Sequence, residues 1–322
     1  MRVVVALGGN ALLRRGAPMT VAGQRAALAA ASEPLARLAV DHELVVSHGN
    51  GPQVGLLALQ AASYDHVSEY PFDVLGAQTG GMIGYLLESE LSNHLGDGTP
   101  VAVLITRTLV DPRDPAFANP TKFVGPTYPR EQADRVAQEH GWLIKPDGDV
   151  FRRVVPSPAP LRILELDPIR WILGHGGVVV CSGGGGVPTA RASNGKYAGV
   201  EAVVDKDLAS AVLARDLHAD TLIIATDVDG VYLGWGTPLS RRLRHAHPDD
   251  LELRDFAAGS MGPKVAAAVQ FARETGGRAV IGSLDDLDGL LSGTSGTTVS
   301  TSQTGLQVDE TSAVTTGAGG PP

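Results

Sequence analysis

The chain has 322 residues, 43% apolar and 19% charged, a globular composition long enough for one large or two medium domains. A net charge of −9 without any basic block argues against a nucleic acid partner, whose phosphates demand clustered Lys and Arg. No apolar run approaches the ~18 residues of a membrane span, no basic-then-apolar leader opens the chain, and Cys181 has no second cysteine to pair with; a cytoplasmic setting is expected.

Residues 3–7 form an apolar run rich in valine, which reads as a buried strand. Gly8, Gly9 and Asn10 follow, then a segment able to be helical. A glycine turn opening onto a helix N-terminus suits an anion such as phosphate; it also suits an ordinary strand-to-helix connection. Thr20 can cap a helix whose apolar side holds Val21, Leu28, Leu35 and Leu38, and Pro34 should break or kink it. Residues 44–47 are a second short strand, ending in His48-Gly49-Asn50-Gly51-Pro52-Gln53-Val54-Gly55 and a helix over 56–62. The alternation of strand and helix predicts a parallel sheet with helices on its faces.

Residues 72–91 carry Gly76, Gly80, Gly81 and Gly84 in a helical pattern. Glycines weaken a helix, and close helix packing, a dimer interface included, would offset the cost. Residues 101–105 read as a strand. Pro112, Pro115, Pro120, Pro126 and Pro129 then punctuate the chain, a helix is expected over 130–140, and 142–155 alternates like a hairpin about Pro146-Asp147-Gly148. Residues 112–160 thus leave the sheet as a small subdomain, a lid or a surface elaboration, with Lys122 inside it. A short helix over 169–173, a strand over 177–182 and a third glycine turn over 183–186 come next. Asp205-Lys206-Asp207 stands at the start of a helix within 203–213, and the strand 222–226 closes on Asp227 to Tyr232. Gly259 to Lys264 opens a helix running to 275, and 279–283 and 297–299 are the last strands, with a short helix over 287–291 between them. From Ser300 the composition predicts a disordered tail over 300–322.

In an open α/β sheet, ligands lie beyond the carboxyl ends of the strands, and all three glycine turns fall there. Lys264 follows Gly262-Pro263 in the first turn of its helix, where a cation opposes the macrodipole and gains from a phosphate beside it. The alternative is an exposed lysine tolerating a penalty of ~0.3–1 kcal/mol. Lys206, between two aspartates, is either oriented toward a phosphoryl oxygen or part of a solvated charged triplet. The chain lacks a P-loop, a dinucleotide fingerprint, a zinc-type ligand set and a G-x-S-x-G elbow. No metal ligands are expected, and His48 reads as a hydrogen-bonding residue rather than a base. Main-chain donors and lysines aimed at anions suit phosphoryl transfer, where catalysis is mostly positioning and charge stabilisation.

The glycine turns, together with Asn119-Pro120-Thr121-Lys122, Arg152-Arg153-Val154-Val155-Pro156-Ser157-Pro158, Ala202 to Ser210 and Gly259 to Lys264, resemble the amino acid kinase superfamily and, within it, the carbamate kinases. The resemblance runs from Val3 to about residue 299. It implies an open αβα sandwich with a mainly parallel central sheet and two lobes. Residues 1–200 would hold the phosphoryl acceptor, with a protruding subdomain near 112–160, and 201–299 the nucleotide. The implied reaction is ATP plus carbamate giving ADP plus carbamoyl phosphate, often reversed to make ATP in arginine catabolism. The implied metal is Mg²⁺ held by phosphates and water, and the implied assembly a homodimer through the N-terminal lobe.

The resemblance also implies roles. The amides of Gly8, Gly9, Gly49 and Gly51, with the Asn10 and Asn50 side chains, would hold carbamate and the migrating phosphoryl group. Lys206 and Lys264 would flank that group, Asp207 would orient both, and Lys122 would reach over the site. Gly262, Lys264, Asp227 and Tyr232 would lie near the nucleotide. Phe123 and Thr127 depart from the family's pattern beside Lys122. The alternatives are another small-molecule kinase of the superfamily, or a catalytically silent nucleotide-binding protein.

Overall fold

The computed structural model describes residues 1–13, 20–63, 70–257 and 259–309, the side chain of Asn10 excepted. In chain order the first half comprises β1 (Arg2–Leu7), α1 (Gly9–Leu12), α2 (Val21–Asp41), β2 (Glu43–His48), α3 (Gly51–Ala62), α4 (Phe72–Leu95), β3 (Val101–Val103), β4 (Arg107–Leu109), β5 (Lys122–Tyr128), α5 (Arg130–His140), β6 (Ile144–Asp147) and β7 (Val150–Val155). The second half comprises β8 (Arg162–Ile163), α6 (Leu166–Gly174), β9 (Val178–Val180), β10 (Val187–Arg191), β11 (Tyr197–Gly199), α7 (Lys206–Asp216), β12 (Thr221–Thr226), β13 (Tyr232–Leu233) and β14 (Arg241–Ala246). It ends with α8 (Pro248–Glu252), α9 (Met261–Thr275), β15 (Arg278–Ser283), α10 (Leu287–Ser292), β16 (Thr297–Val299) and β17 (Leu306–Val308).

The central sheet has ten strands in the order β13-β14-β16-β15-β12-β1-β2-β9-β3, with β17 also on β14. From β15 to β3 every pairing is parallel; β16 turns antiparallel to β15. Successive side chains in a strand face opposite sides. Val3, Val5 and Leu7 accordingly join Leu28, Leu35, Leu87 and Leu287 of α2, α4 and α10 in one core. Val4, Val45 and Ile224 join Ile169, Leu213 and Phe271 of α6, α7 and α9 in the other. Both faces are buried, which is why the strands read as continuous apolar runs rather than alternating ones. The result is the expected αβα sandwich. No helix among the described residues is long and apolar enough to cross a membrane.

Several expectations are corrected. α2 is not broken at Pro34 but runs through it as one helix from Val21 to Asp41. Burial of Leu28, Leu35 and Leu38 outweighs the ~3 kcal/mol that an interior proline costs. Two of the α4 glycines lie against other elements of this chain: a Cβ on Gly84 would lie 2.4 Å from Val103 Cγ1 of β3, and one on Gly183 would lie 3.0 Å from Gly80 Cα, whereas a Cβ on Gly76 would meet nothing within 4 Å. The chain past Ser300 is not disordered at its start. β17 pairs antiparallel with β14, and Asp309 forms an ion pair with Arg242; ladder bonds and this pair order a stretch whose composition reads as coil. Residues 310–322 of the expected tail lie outside the described residues. Strands β4, β5, β8, β10, β11, β13, β14 and β17 escaped the sequence reading.

Residues 122–155 form a three-stranded sheet of their own, β5-β7-β6, with α5. Val124 and Val155 pack with Val54, Phe72 and Leu75 of α3 and α4. The closest contact is backbone on backbone: a Cβ on Gly55 would lie 2.1 Å from Gly125 Cα, and Gly125 has φ +74°. Neither neighbour can rotate away. Gly55→Ala is therefore expected to cost about 1–3 kcal/mol, read as a lower denaturation midpoint with faster protease cleavage within 122–155. An unchanged midpoint and cleavage rate would show that the two backbones do not meet.

Candidate active site

The site lies at the carboxyl ends of the central parallel strands. The ladder continues one residue past each strand: the Gly8 amide donates to the Ala225 carbonyl at 2.9 Å and the Gly49 amide to the Leu7 carbonyl at 3.2 Å. Both amides, expected to face a ligand, are therefore already engaged. The two glycines serve by size instead. A Cβ on Gly8 would sit 3.0 Å from the Ala225 oxygen, and one on Gly49 would press on the Lys206 stem at 3.4 Å. The following donors differ. Gly9 and Gly51 are the first residues of α1 and α3, where helix geometry supplies no intrahelical acceptor. Asn10 follows in α1; its side chain lies outside the described residues.

Asn50 is buried at the N-cap of α3 and donates from Nδ2 to Thr79 Oγ1 at 2.8 Å. The Thr79 hydroxyl donates in turn to carbonyls of Leu75 and Gly76 within α4. One of the two Nδ2 hydrogens is thereby taken, and the side chain is held against Gly184, where a Cβ would fall 2.2 Å from it. The third glycine turn is a packing device more than a donor array. Ser182, Gly184, Gly185 and Gly186 all have positive φ, and the Gly185 and Gly186 amides close the turn on Ser182 and Gly183. Gly183 leaves room for the His48 ring, whose Nε2 lies 2.7 Å from where a Cβ would be. His48 Nδ1 lies 2.9 Å from the Gly49 carbonyl, which can only accept, so Nδ1 carries the proton.

Two lysines meet on one carboxylate. Lys206 is the first residue of α7, and its Nζ donates to Asp207 Oδ1 at 2.5 Å. Lys264, in the first turn of α9, donates from Nζ to Asp207 Oδ2 at 3.0 Å. The side chains of Lys206, Lys264 and Asp207 are 12%, 13% and 5% exposed. Burial alone would raise the Asp207 carboxyl, but the two ammonium groups and their hydrogen bonds outweigh it and hold it well below the usual carboxylate range. Burial holds Lys206 below the ordinary lysine value, against the pull of Asp207 and with repulsion from Lys264. A cluster of two cations and one anion, set at two helix N-termini, attracts negative charge.

Lys122, at the start of β5, reaches Asp205 with Nζ 2.5 Å from Oδ2. Asp205 caps α7 by accepting at Oδ1 from the amides of Asp207 and Leu208. Asp205 was missed as a site residue, although an aspartate just before a helix is a readable cap signal. The Gly262 amide donates to the Ala257 carbonyl at 2.8 Å, so it closes its own loop and does not face a ligand. Asp227 follows β12 directly and accepts at Oδ1 from Thr226 Oγ1. Tyr232, in β13, donates its hydroxyl to Asp229 Oδ1 at 2.9 Å and stacks edge-on with Trp235. Arg242 joins Asp229 to Asp309; nothing local in the sequence signals this long-range chain. No three His, Cys, Asp or Glu side chains gather as a metal cage among the described residues.

Residues 1–283 match the model of the amino acid kinase family. The chain is 52% identical to carbamate kinase of Haemophilus influenzae, over 95% of this chain and 99% of that one. It is 49% identical to carbamate kinase of Escherichia coli K12, over 92% and 99%. The solved structure of Giardia lamblia carbamate kinase bound to AMP-PNP superposes with a TM-score of 0.84 at 38% identity, covering 92% of this chain and 98% of that one. The chain belongs to the amino acid kinase family.

For a kinase of this family the protonation of the site sets its working range. His48 is 1% exposed. Burial lowers it from 6.5 to about 4, the Gly49 bond opposes this, and Lys206 adds to it. The Cys181 thiol is pushed up to about 12 by burial, which leaves it no nucleophile at neutral pH. Between pH 6.5 and about 4 an unfolded chain takes up a proton at His48 that the fold refuses. Its contribution to stability is thus intact above pH 6.5 and declines as pH falls toward 4. At ~1.4 kcal/mol per pH unit the loss from this group amounts to roughly 3 kcal/mol. Denaturation midpoints measured across that window should fall, with the His48 ring resonance unshifted until about pH 4. A ring that titrates near 6.5 would overturn the assignment.

Proposed function

We propose that this chain is a carbamate kinase, transferring a phosphoryl group reversibly between ATP and carbamate to give ADP and carbamoyl phosphate. The observation that carries it is the convergence of Lys206 and Lys264 on Asp207 at two helix N-termini, in a chain about half identical to named carbamate kinases along nearly its whole length. A carbamate oxygen attacks the γ-phosphorus, the bond from that phosphorus to the β–γ bridging oxygen breaks, and the electron pair leaves on ADP. Carbamate is already an anion, so no base has to create the nucleophile, which accords with a neutral, carbonyl-bonded His48.

In this reading Lys206 and Lys264 flank the migrating group and neutralise its charge, and Asp207 keeps their Nζ atoms aimed. The Gly9 and Gly51 amides and the remaining Asn50 hydrogen face carbamate and the phosphoryl oxygens, together with Asn10. Gly8 and Gly49 contribute clearance. Lys122 supplies a third cation from the 122–155 sheet. Asp227 and Tyr232 border the nucleotide, with Gly262 shaping the loop before Lys264. Mg²⁺ would be held by the nucleotide phosphates and water rather than by Asp207, whose two oxygens are engaged by lysines, and would neutralise phosphate charge there. Residues 1–200 form the acceptor lobe and 201–299 the nucleotide lobe. The enzyme works in the cytoplasm as a homodimer joined through the N-terminal lobe, making ATP in arginine catabolism.

Purified protein given carbamoyl phosphate, ADP and Mg²⁺ should form ATP, followed by a hexokinase-coupled assay. Lys206→Ala and Lys264→Ala should each lower turnover by about 10²–10³ or more while circular dichroism stays native. Near-normal turnover in either variant would reject the role of that lysine, and no ATP from the unaltered chain would reject the reaction.

A further inference from the structure

We propose that Asp205 is a positioning residue that ties Lys122 to the N-terminus of α7, so that the sheet carrying Lys122 and the helix carrying Lys206 and Asp207 are set against each other by one carboxylate. The inference rests on the phosphoryl-transfer reading of the site. Each Asp205 oxygen has its own task. Oδ1 accepts from the Asp207 amide at 2.9 Å and the Leu208 amide at 3.3 Å, which fixes the carboxylate plane on the first turn of α7. Oδ2 is left facing outward and takes Lys122 Nζ at 2.5 Å, across 83 residues of chain. The same side chain therefore touches the two elements that must agree for three cations to surround one phosphoryl group.

An ordinary exposed ion pair would be too loose for this task. Here the Asp205 side chain is 12% exposed and Lys122 33% exposed. Lys122 is also held from behind. Lys145 Nζ donates to Asn119 Oδ1 at 3.1 Å and to the Pro120 carbonyl at 2.8 Å, which ties down the turn before Lys122. Gly125, in the same strand as Lys122, rests on Gly55 of α3. Backbone and turn thus bring the lysine to the site, and Asp205 fixes where its ammonium stops. A capping role alone would need only Oδ1, which asparagine reproduces.

Asp205→Asn separates the two tasks, because it keeps a capping oxygen but turns the other carboxylate oxygen into an NH₂ that faces the Lys122 ammonium donor to donor. Unaltered protein, D205N, K122M and the double variant are compared by amide hydrogen exchange over Lys122–Tyr128 and by initial rates with carbamoyl phosphate and ADP. Both single variants should exchange faster across that strand, with D205N keeping the native denaturation midpoint. D205N should lose turnover roughly tenfold or more. The double variant should be no slower than the slower single variant within about twofold, as for residues acting through one contact. Unchanged exchange in both variants, wild-type turnover in D205N, or losses that multiply would each overturn the proposal. If the unaltered chain forms no ATP, the reaction assignment fails instead, and the exchange measurement still decides whether Asp205 holds Lys122.

Discussion

The structure depends on a carboxylate placed between two ammonium groups that helix geometry disfavours. A lysine in the first turn of a helix faces the positive end of the macrodipole, at a cost of ~0.3–1 kcal/mol. Here Lys206 and Lys264 both occupy that position, on α7 and α9, and both are largely buried. Asp207 makes the arrangement tolerable by giving one oxygen to each. The two helices must therefore start at the same place, which fixes their packing on one face of the sheet. The core follows from this: Leu213 of α7 and Phe271 of α9 bury against Val4 and Ile224 as the helices run back along β1 and β12. One anion for two cations leaves positive charge unbalanced at the first turns of α7 and α9.

The division of labour among the glycines follows from the sheet. A parallel strand carries its ladder one residue past its last side chain in the core, so the first residue of the turn loses its amide to a neighbouring carbonyl. Gly8 and Gly49 are in that position. The next helical residues, Gly9 and Gly51, begin a new hydrogen-bonding system with no acceptor behind them. Adjacent glycines in one motif thus have opposite physical reasons: clearance for Ala225 and Lys206 in the first, an outward N–H in the second.

Much of this was legible in the sequence because it is local. Apolar runs bounded by glycine turns located the parallel strands, helix starts followed from Asp205 and Pro263, and the hairpin about Gly148 is present as β6 and β7. What escaped depends on distant partners. Which amides face outward is decided by whether Ala225 and Leu7 lie alongside, not by the glycines themselves. Pro34 is tolerated because of what its helix buries. Strand β17 is three residues in a polar context, ordered by β14 and by the Arg242–Asp309 pair. Of the α4 glycines, Gly84 admits Val103 of β3 and Gly80 the turn at Gly183, partners that the sequence cannot name because close backbone approach looks alike whatever approaches.

The chemistry a site can perform is bounded by which of its groups can change charge. Neither His48 nor Cys181 is placed to exchange protons near neutral pH: burial keeps the first neutral down to about pH 4 and the second protonated up to about 12. Asp207 stays ionised under its two lysines. A site in this condition suits an acceptor that arrives already negative and a step that moves a phosphoryl group rather than a proton. Its leverage lies in geometry, the spacing of fixed positive charge around a group that grows more charge-separated as it transfers. That makes the placement of ammonium groups the quantity under structural control: Asp207 holds Lys206 and Lys264, and Asp205 holds Lys122 while capping the helix that carries Lys206.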